Sequence, residues 1–171
     1  MSSSKKVTII GMGNLLLKDE GIGVHVARAL QKTTLPHGVE VVDGGTSPEP
    51  FSYIESIGKL IVIDAMETGD VPGSIYRIRI DDLTTEVAGL NSIHEVNLVS
   101  TLKLMRILGK GPQETVIIGI QPKNMDCGIE LSAEVREKIP EIKRVVLEEI
   151  AINQQRSNSD VPLSFRQVSA Y

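Results

Sequence analysis

Aromatic side chains are scarce in this chain: there is no tryptophan, and Phe51, Phe165 and three tyrosines are the only rings among 171 residues. A module that reads nucleic acid by stacking bases needs more of them. Lys and Arg are spread along the sequence, and the net charge of −4 offers no basic field to attract a polyanion, so nucleic acid and anionic membrane are poor partners. The single Cys127 cannot close an internal disulfide and belongs to no Cys-x-x-Cys spacing. That points to a reducing compartment, the cytoplasm. No segment approaches the ~20 apolar residues of a membrane span, and the polar start Met1-Ser2-Ser3-Ser4-Lys5-Lys6 is expected to be neither signal peptide nor anchor. Repeats, low-complexity tracts and linkers are also lacking. The length fits one domain burying roughly two thirds of its unfolded surface, expected over residues 1–152 around an aliphatic core, with a polar and loosely packed tail over 153–171.

What is present is a series of short apolar runs that stop at glycine or aspartate. Val7-Thr8-Ile9-Ile10 ends in Gly11-Met12-Gly13-Asn14, Val39-Glu40-Val41-Val42-Asp43 in Gly44-Gly45, and Leu60-Ile61-Val62-Ile63 in Asp64-Ala65. Each reads as a buried parallel strand that delivers its end to a loop. Gly73 to Ile80 alternates apolar with polar, which predicts a half-exposed strand near an edge, able to run antiparallel after the tight Val71-Pro72-Gly73 turn. Thr115 to Ile120 is the fifth strand. Helical spacing appears over Gly21–Lys32, over Ile93 to about Leu108, and over Ser132–Ile152, with a short helix expected over Pro48–Ile57. Ser92-Ile93-His94-Glu95 reads as a capping box that opens the second of these and puts His94 in its first turn. The sum is an α/β fold: a mostly parallel, twisted five-stranded sheet with helices on both faces.

In open parallel sheets of this kind ligands bind beyond the carboxyl ends of the strands. Acid or imidazole groups fall at such places three times: Asp19-Glu20 after the first strand, Asp64 after the third, and His94 at a helix start. Two carboxylates and one imidazole suit a borderline transition metal such as nickel, zinc or iron, whereas an all-oxygen set would favour magnesium or calcium. Each residue also has an ordinary structural reading. Glu20 could be a solvated acid in a first helical turn, Asp64 a turn former, and His94 a surface residue. The remaining candidates read as structural. His25 is expected at the surface and His37 in the turn Leu35-Pro36-His37-Gly38; Cys127 is expected to be a buried or inert thiol. Asp43, in the tight turn with Gly44-Gly45-Thr46, would brace the neighbouring loop through amide hydrogen bonds.

Gly11-x-Gly13 after a strand, with Asp43 at the end of the next, also sketches a dinucleotide-binding unit. The third glycine of that motif is replaced by Leu16, and Lys18-Asp19-Glu20 would place acids on a pyrophosphate's approach. A nucleotide-binding module is therefore the weaker alternative.

The segment Gly13-Asn14-Leu15-Leu16-Leu17-Lys18-Asp19-Glu20-Gly21-Ile22-Gly23 closely resembles the opening motif of the hydrogenase maturation endopeptidases, which trim the large subunit of nickel-iron hydrogenases. Asp43-Gly44-Gly45-Thr46, Ile63-Asp64-Ala65, Pro72-Gly73, His94 and Gly119-Ile120-Gln121-Pro122 appear in the order of that family, so the resemblance covers residues 7 to about 150. It implies a metal site made of Glu20, Asp64 and His94, with Glu20 and Asp64 also the candidates for water activation in a peptidase often classed as aspartic-type. The implied substrate is the precursor of a hydrogenase large subunit, cut near its C-terminus after nickel insertion. Nickel would then arrive with the substrate, and the three residues would probe for it. Loops around the site, Thr84–Asn91 and Lys123–Glu130, would carry specificity, and the protein is expected to act as a monomer. A non-enzymatic nickel-binding chaperone on the same scaffold is the alternative.

Overall fold

The structure, a computed structural model, describes residues 6–47, 58–80 and 93–156, without the side chains of 93–99 and 153–156. The short helix expected over Pro48–Ile57, the capping box at Ser92, the loop 84–91 and the tail from 157 onward lie outside these residues.

Five strands form one sheet: β1 (Val7–Met12), β2 (Val39–Gly45), β3 (Lys59–Ala65), β4 (Ile75–Arg79) and β5 (Glu114–Ile120), in the spatial order β2-β1-β3-β5-β4. All neighbours pair in parallel except β4 with β5, which run antiparallel with Ile75 opposite Ile120. The alternating pattern of the fourth strand thus did mark an edge. The turn before it has Pro72 and Gly73 at its centre, Gly73 at φ +85° and the Ser74 amide on the Val71 carbonyl at 3.0 Å, which matches the type II geometry that Pro-Gly favours.

Both faces of the sheet are covered, and strand parity decides which residue goes where. Ile9, Ile61, Ile63, Val116 and Ile118 pack with α1 (Ile22–Gln31) and α4 (Ile139–Arg156) through Ile22, Val26, Leu30, Ile142, Val145 and Val146. Ile10, Met12, Leu60, Val62 and Ile117 face the other way, toward Leu102 and Met105 of α2 (Ile93–Ile107). The single helix anticipated over Ser132–Ile152 is in fact two, α3 (Ala133–Arg136) and α4. Pro140 explains the break: inside a continuous helix it would lack an amide hydrogen bond and crowd the carbonyl four residues back, whereas in a first turn its missing N–H costs nothing. α4 also runs four residues beyond the expected end, to Arg156.

One buried feature has no signature in the sequence. Lys59, at the amino end of β3, is fully buried, and its Nζ meets Glu149 Oε1 of α4 at 2.5 Å and Glu114 Oε1 of β5 at 3.5 Å. Arg77 Nε approaches the other Glu149 oxygen at 3.3 Å, and Arg79 reaches Glu114 at 3.3 Å. This ionic cluster closes the amino end of the sheet, opposite the edge where Asp64 stands.

Candidate active site at the carboxyl edge

The chain leaves β1 into a loop whose shape is set by Gly13 and Asn14. Gly13 has φ +134°, and a Cβ there would fall inside the contact radius of the Glu20 carbonyl oxygen. The loop therefore folds back onto its own start. Asn14 holds the fold-back: its Oδ1 accepts the Leu16 amide at 2.9 Å, and its own amide donates to Glu20 Oε2 at 3.1 Å. A single 3-10 turn, Lys18–Gly21, comes next and leads directly into α1. Glu20 is half-buried in that turn.

Gly23 brings this turn to β3. A Cβ on Gly23 would overlap the carbonyl oxygens of both Ile63 and Met12, so α1 begins in direct contact with the backbone where β1 and β3 end. Gly11 completes the same close approach from the strand side, lying against the Gly23 carbonyl and Ala27. These glycines thus serve helix-on-strand packing. Nor is there a phosphate cradle, since the space over Gly13 holds the Glu20 carbonyl. The dinucleotide reading fails on that geometry.

Asp64 comes after Ile63 in β3, flanked by β1 and β5, and is buried, with Oδ1 accepting the Ala65 amide at 2.8 Å. Its parity is that of Leu60 and Val62, hence the face that α2 covers. Strand order reverses between β1 and β3, with β2 on one side of β1 and β3 on the other, and such a switch point is where an open α/β sheet forms its crevice. The turn that carries Glu20 leads into α1 where Gly23 meets the Ile63 carbonyl, one residue before Asp64. His94 is the second residue of α2, as expected, but its side chain lies outside the described residues. Among the described residues no trio of His, Cys, Asp or Glu is placed to hold a metal ion.

The sequence presents Asp19 and Glu20 as a pair; the structure separates them. Asp19 is fully buried and faces the loop after β5. Its carboxylate accepts the amides of Lys123 (2.9 Å), Asn124 (2.9 Å) and Ser132 (2.7 Å) and the Ser132 hydroxyl (2.8 Å). Burial alone would raise its pKa, but the amides of Asn124, Ser132 and Lys123 together with the Ser132 hydroxyl outweigh it and hold the group below the ordinary carboxylate value. The signal available in sequence was the tight turn itself: with about three residues per turn, adjacent acids cannot share a direction.

The neighbouring loop after β3 is fixed by Gln121. Its buried side chain accepts the Thr68 amide at 2.7 Å and hydroxyl at 2.8 Å, while the Met66 amide donates to the Ile120 carbonyl. Asp43 holds its own turn, through the Gly45 amide at 3.2 Å, and its other oxygen takes Arg28 Nε of α1 at 2.9 Å; these partners of its carboxylate lie in its turn and in α1, where a neighbouring loop was expected. Two expectations need correction. His25 is half-buried, not a surface residue; burial, and then the charge of Arg28, lower its pKa. Cys127 is exposed, which removes the buried alternative for this thiol and leaves the inert one. His37 is exposed in its turn as read.

Comparison with known proteins agrees with this architecture. A family model described as hydrogenase maturation protease matches residues 24–149. A hydrogenase expression/formation protein HoxM of Azotobacter vinelandii is 33% identical, over 87% of this chain and 74% of that protein. A putative hydrogenase maturation protease of Methanocaldococcus jannaschii is 36% identical, over 85% and 97%. Among solved structures, the hydrogenase maturating endopeptidase HybD from Escherichia coli superposes with a TM-score of 0.76 at 28% identity, covering 86% of this chain and 93% of that one. With a family model spanning most of its length, relatives above 30% identity and the same fold, the chain belongs to the hydrogenase maturation protease family.

Proposed function

We propose that this peptidase removes a C-terminal peptide from the precursor of the large subunit of a nickel-iron hydrogenase, in the cytoplasm and as a monomer, once nickel has been inserted. Glu20, Asp64 and His94 engage the nickel carried by the precursor. That metal belongs to the substrate, so the protein tests for its presence. The observation that carries the reading is the Gly23 contact with Ile63, which seats the turn bearing Glu20 at the strand end bearing Asp64. Two carboxylates beside an imidazole match a borderline divalent metal.

Hydrolysis also needs a water deprotonated near the scissile carbonyl, and a carboxylate held at fixed orientation is a suitable base. Glu20 and Asp64 each have one oxygen on a main-chain amide, so both are oriented before substrate arrives. An aspartic-type classification fits such an arrangement, with Asp64 the more buried of the two. The loop Lys123–Glu130 borders the same edge and exposes Ile129, offering an apolar contact to the precursor.

The test compares nickel-loaded with metal-free precursor by intact-mass spectrometry. Loaded precursor should lose a C-terminal peptide and metal-free precursor should stay whole. Equal cleavage of both would remove the metal-probe role. Asp64→Asn and His94→Ala should each abolish processing while leaving the circular dichroism spectrum unchanged, and wild-type rates in both would remove the site assignment.

A further inference from the structure

Burying a carboxylate is costly unless its lone pairs are satisfied. Asp19 is fully buried and accepts four hydrogen bonds, three on Oδ2 and one on Oδ1, all from the segment Lys123–Ser132, so both oxygens have donors. The main chain repeats the attachment. The Asp19 amide donates to the Asn124 carbonyl at 3.0 Å, the Lys18 amide to Gly128 at 2.9 Å, and the Gly128 amide back to Leu16 at 2.8 Å. Lys18 takes up φ +46° within this strap, a conformation that side-chain-bearing residues adopt at a cost. A loop that needed only to be closed would not require so many ties.

Glu20 is the next residue in the chain after Asp19. In a 3-10 turn successive side chains point about 120° apart, so the direction in which Asp19 is anchored sets the direction of Glu20. The far end of the connection is open to a partner: Lys123, Asp126, Cys127, Ile129 and Glu130 are all exposed on the loop that Asp19 grips.

We propose that Asp19 is a positioning residue, which latches the turn bearing Glu20 to the loop Lys123–Ser132 so that contact of the precursor with that loop is transmitted to the Glu20 carboxylate. The role of Glu20 rests on the function proposed above; the mechanical link does not. Loss of an outer partner of a metal-engaging residue typically costs about 10- to 100-fold in affinity or activity, and that is the loss expected here.

The experiment uses the full chain with Asp19→Asn, which keeps the size of the side chain but turns an amide donor toward main-chain N–H groups, and Ser132→Ala, which removes one hydrogen bond and should fold even if the first variant does not. Amide hydrogen exchange is monitored at Asn14, whose N–H donates to Glu20, together with processing of loaded precursor. In Asp19→Asn the Asn14 amide should lose protection and turnover should fall by about 10- to 100-fold, mainly in kcat, with Ser132→Ala intermediate in both. Faster exchange at Lys123, Asn124 and Ser132 with an unchanged Asn14 would overturn the proposal by reducing Asp19 to a loop brace. So would wild-type kcat in a variant with a released Asn14. If the wild-type protein cleaves no precursor, the proposed function fails, and the Asn14 exchange still decides whether the link exists.

Discussion

Gly23 in α1 lies against the carbonyl oxygen of Ile63 in β3, with no room between them for a methyl group. The obstruction is backbone on both sides, from Ile63 and Met12, so it cannot be relieved by a side chain swinging aside. Overpacking a tight site costs typically about 1–3 kcal/mol, occasionally more. Gly23→Ala should therefore lower stability in urea by at least that much and also push the first turn of α1 outward. Because that turn starts beside Glu20, processing should fall further than the stability loss accounts for, even under conditions where the variant is fully folded. A variant that unfolds earlier but processes at the wild-type rate would show that the contact serves packing only.

β1 and β3 could be read from the sequence because buried parallel strands are apolar almost throughout, although each runs one residue past Gly11 or Asp64, and β2, at the sheet edge, is largely half-buried or exposed. That pattern and the rule for open sheets are what single out Glu20 and Asp64 as candidates at the carboxyl edge. Other features depend on tertiary contact. Whether Asp19 or Glu20 turned inward was decided by donors on Lys123, Asn124 and Ser132, more than a hundred residues away in the chain. Lys59 looks like the polar start of a strand, and only the arrival of Glu149 makes its burial tolerable. The break at Pro140, by contrast, is legible from proline chemistry, although the helical spacing on either side masks it.

The cluster around Lys59 should matter for stability and not for catalysis. Removing one partner of a buried ion pair strands the other charge, at a cost of about 3–5 kcal/mol, whereas replacing both with apolar residues is often neutral or better. Glu149→Leu alone should be strongly destabilising. Lys59→Met with Glu149→Leu should recover part of the loss, limited by Arg77, which gives up its contact with Glu149 and keeps that with Glu148, while Arg79 and Glu114 stay paired with each other. Urea titrations of the three proteins measure this. The folded double variant should process precursor normally, because the cluster sits at the amino end of the sheet.

Acid should weaken the fold in two stages. His25 has a pKa below its ordinary 6.5, chiefly from burial. The unfolded chain then binds that proton more readily, and the associated stability, fully present above about pH 6.5, is lost as pH falls through the folded value. Asp19 obeys the same sign at lower pH. Its folded pKa lies below the ordinary 3.8 because hydrogen bonds outweigh burial, so its contribution is present above 3.8 and disappears as pH falls through the folded value. Stability measured by urea between pH 7 and pH 3 should fall in both windows. His25→Gln should flatten the upper one and leave the lower intact; an unchanged upper window in that variant would disprove the assignment.

Free nickel should bind the isolated protein weakly. A resident catalytic metal is normally held by three tight protein ligands with water completing the shell, and a protein that kept nickel permanently could not report whether its substrate carried any. A probe must be incomplete on its own. On the proposed reading, the main-chain hydrogen bonds from Asn14 to Glu20 and from Ala65 to Asp64 would compete with a metal for the same carboxylates, and added precursor ligands would offset that competition. Calorimetry with nickel alone should show weak binding, and a titration in the presence of precursor should show much tighter uptake that Glu20→Gln removes. Tight stoichiometric binding by the protein alone, with no peptide released from loaded precursor, would instead identify a nickel-holding chaperone built on a peptidase scaffold.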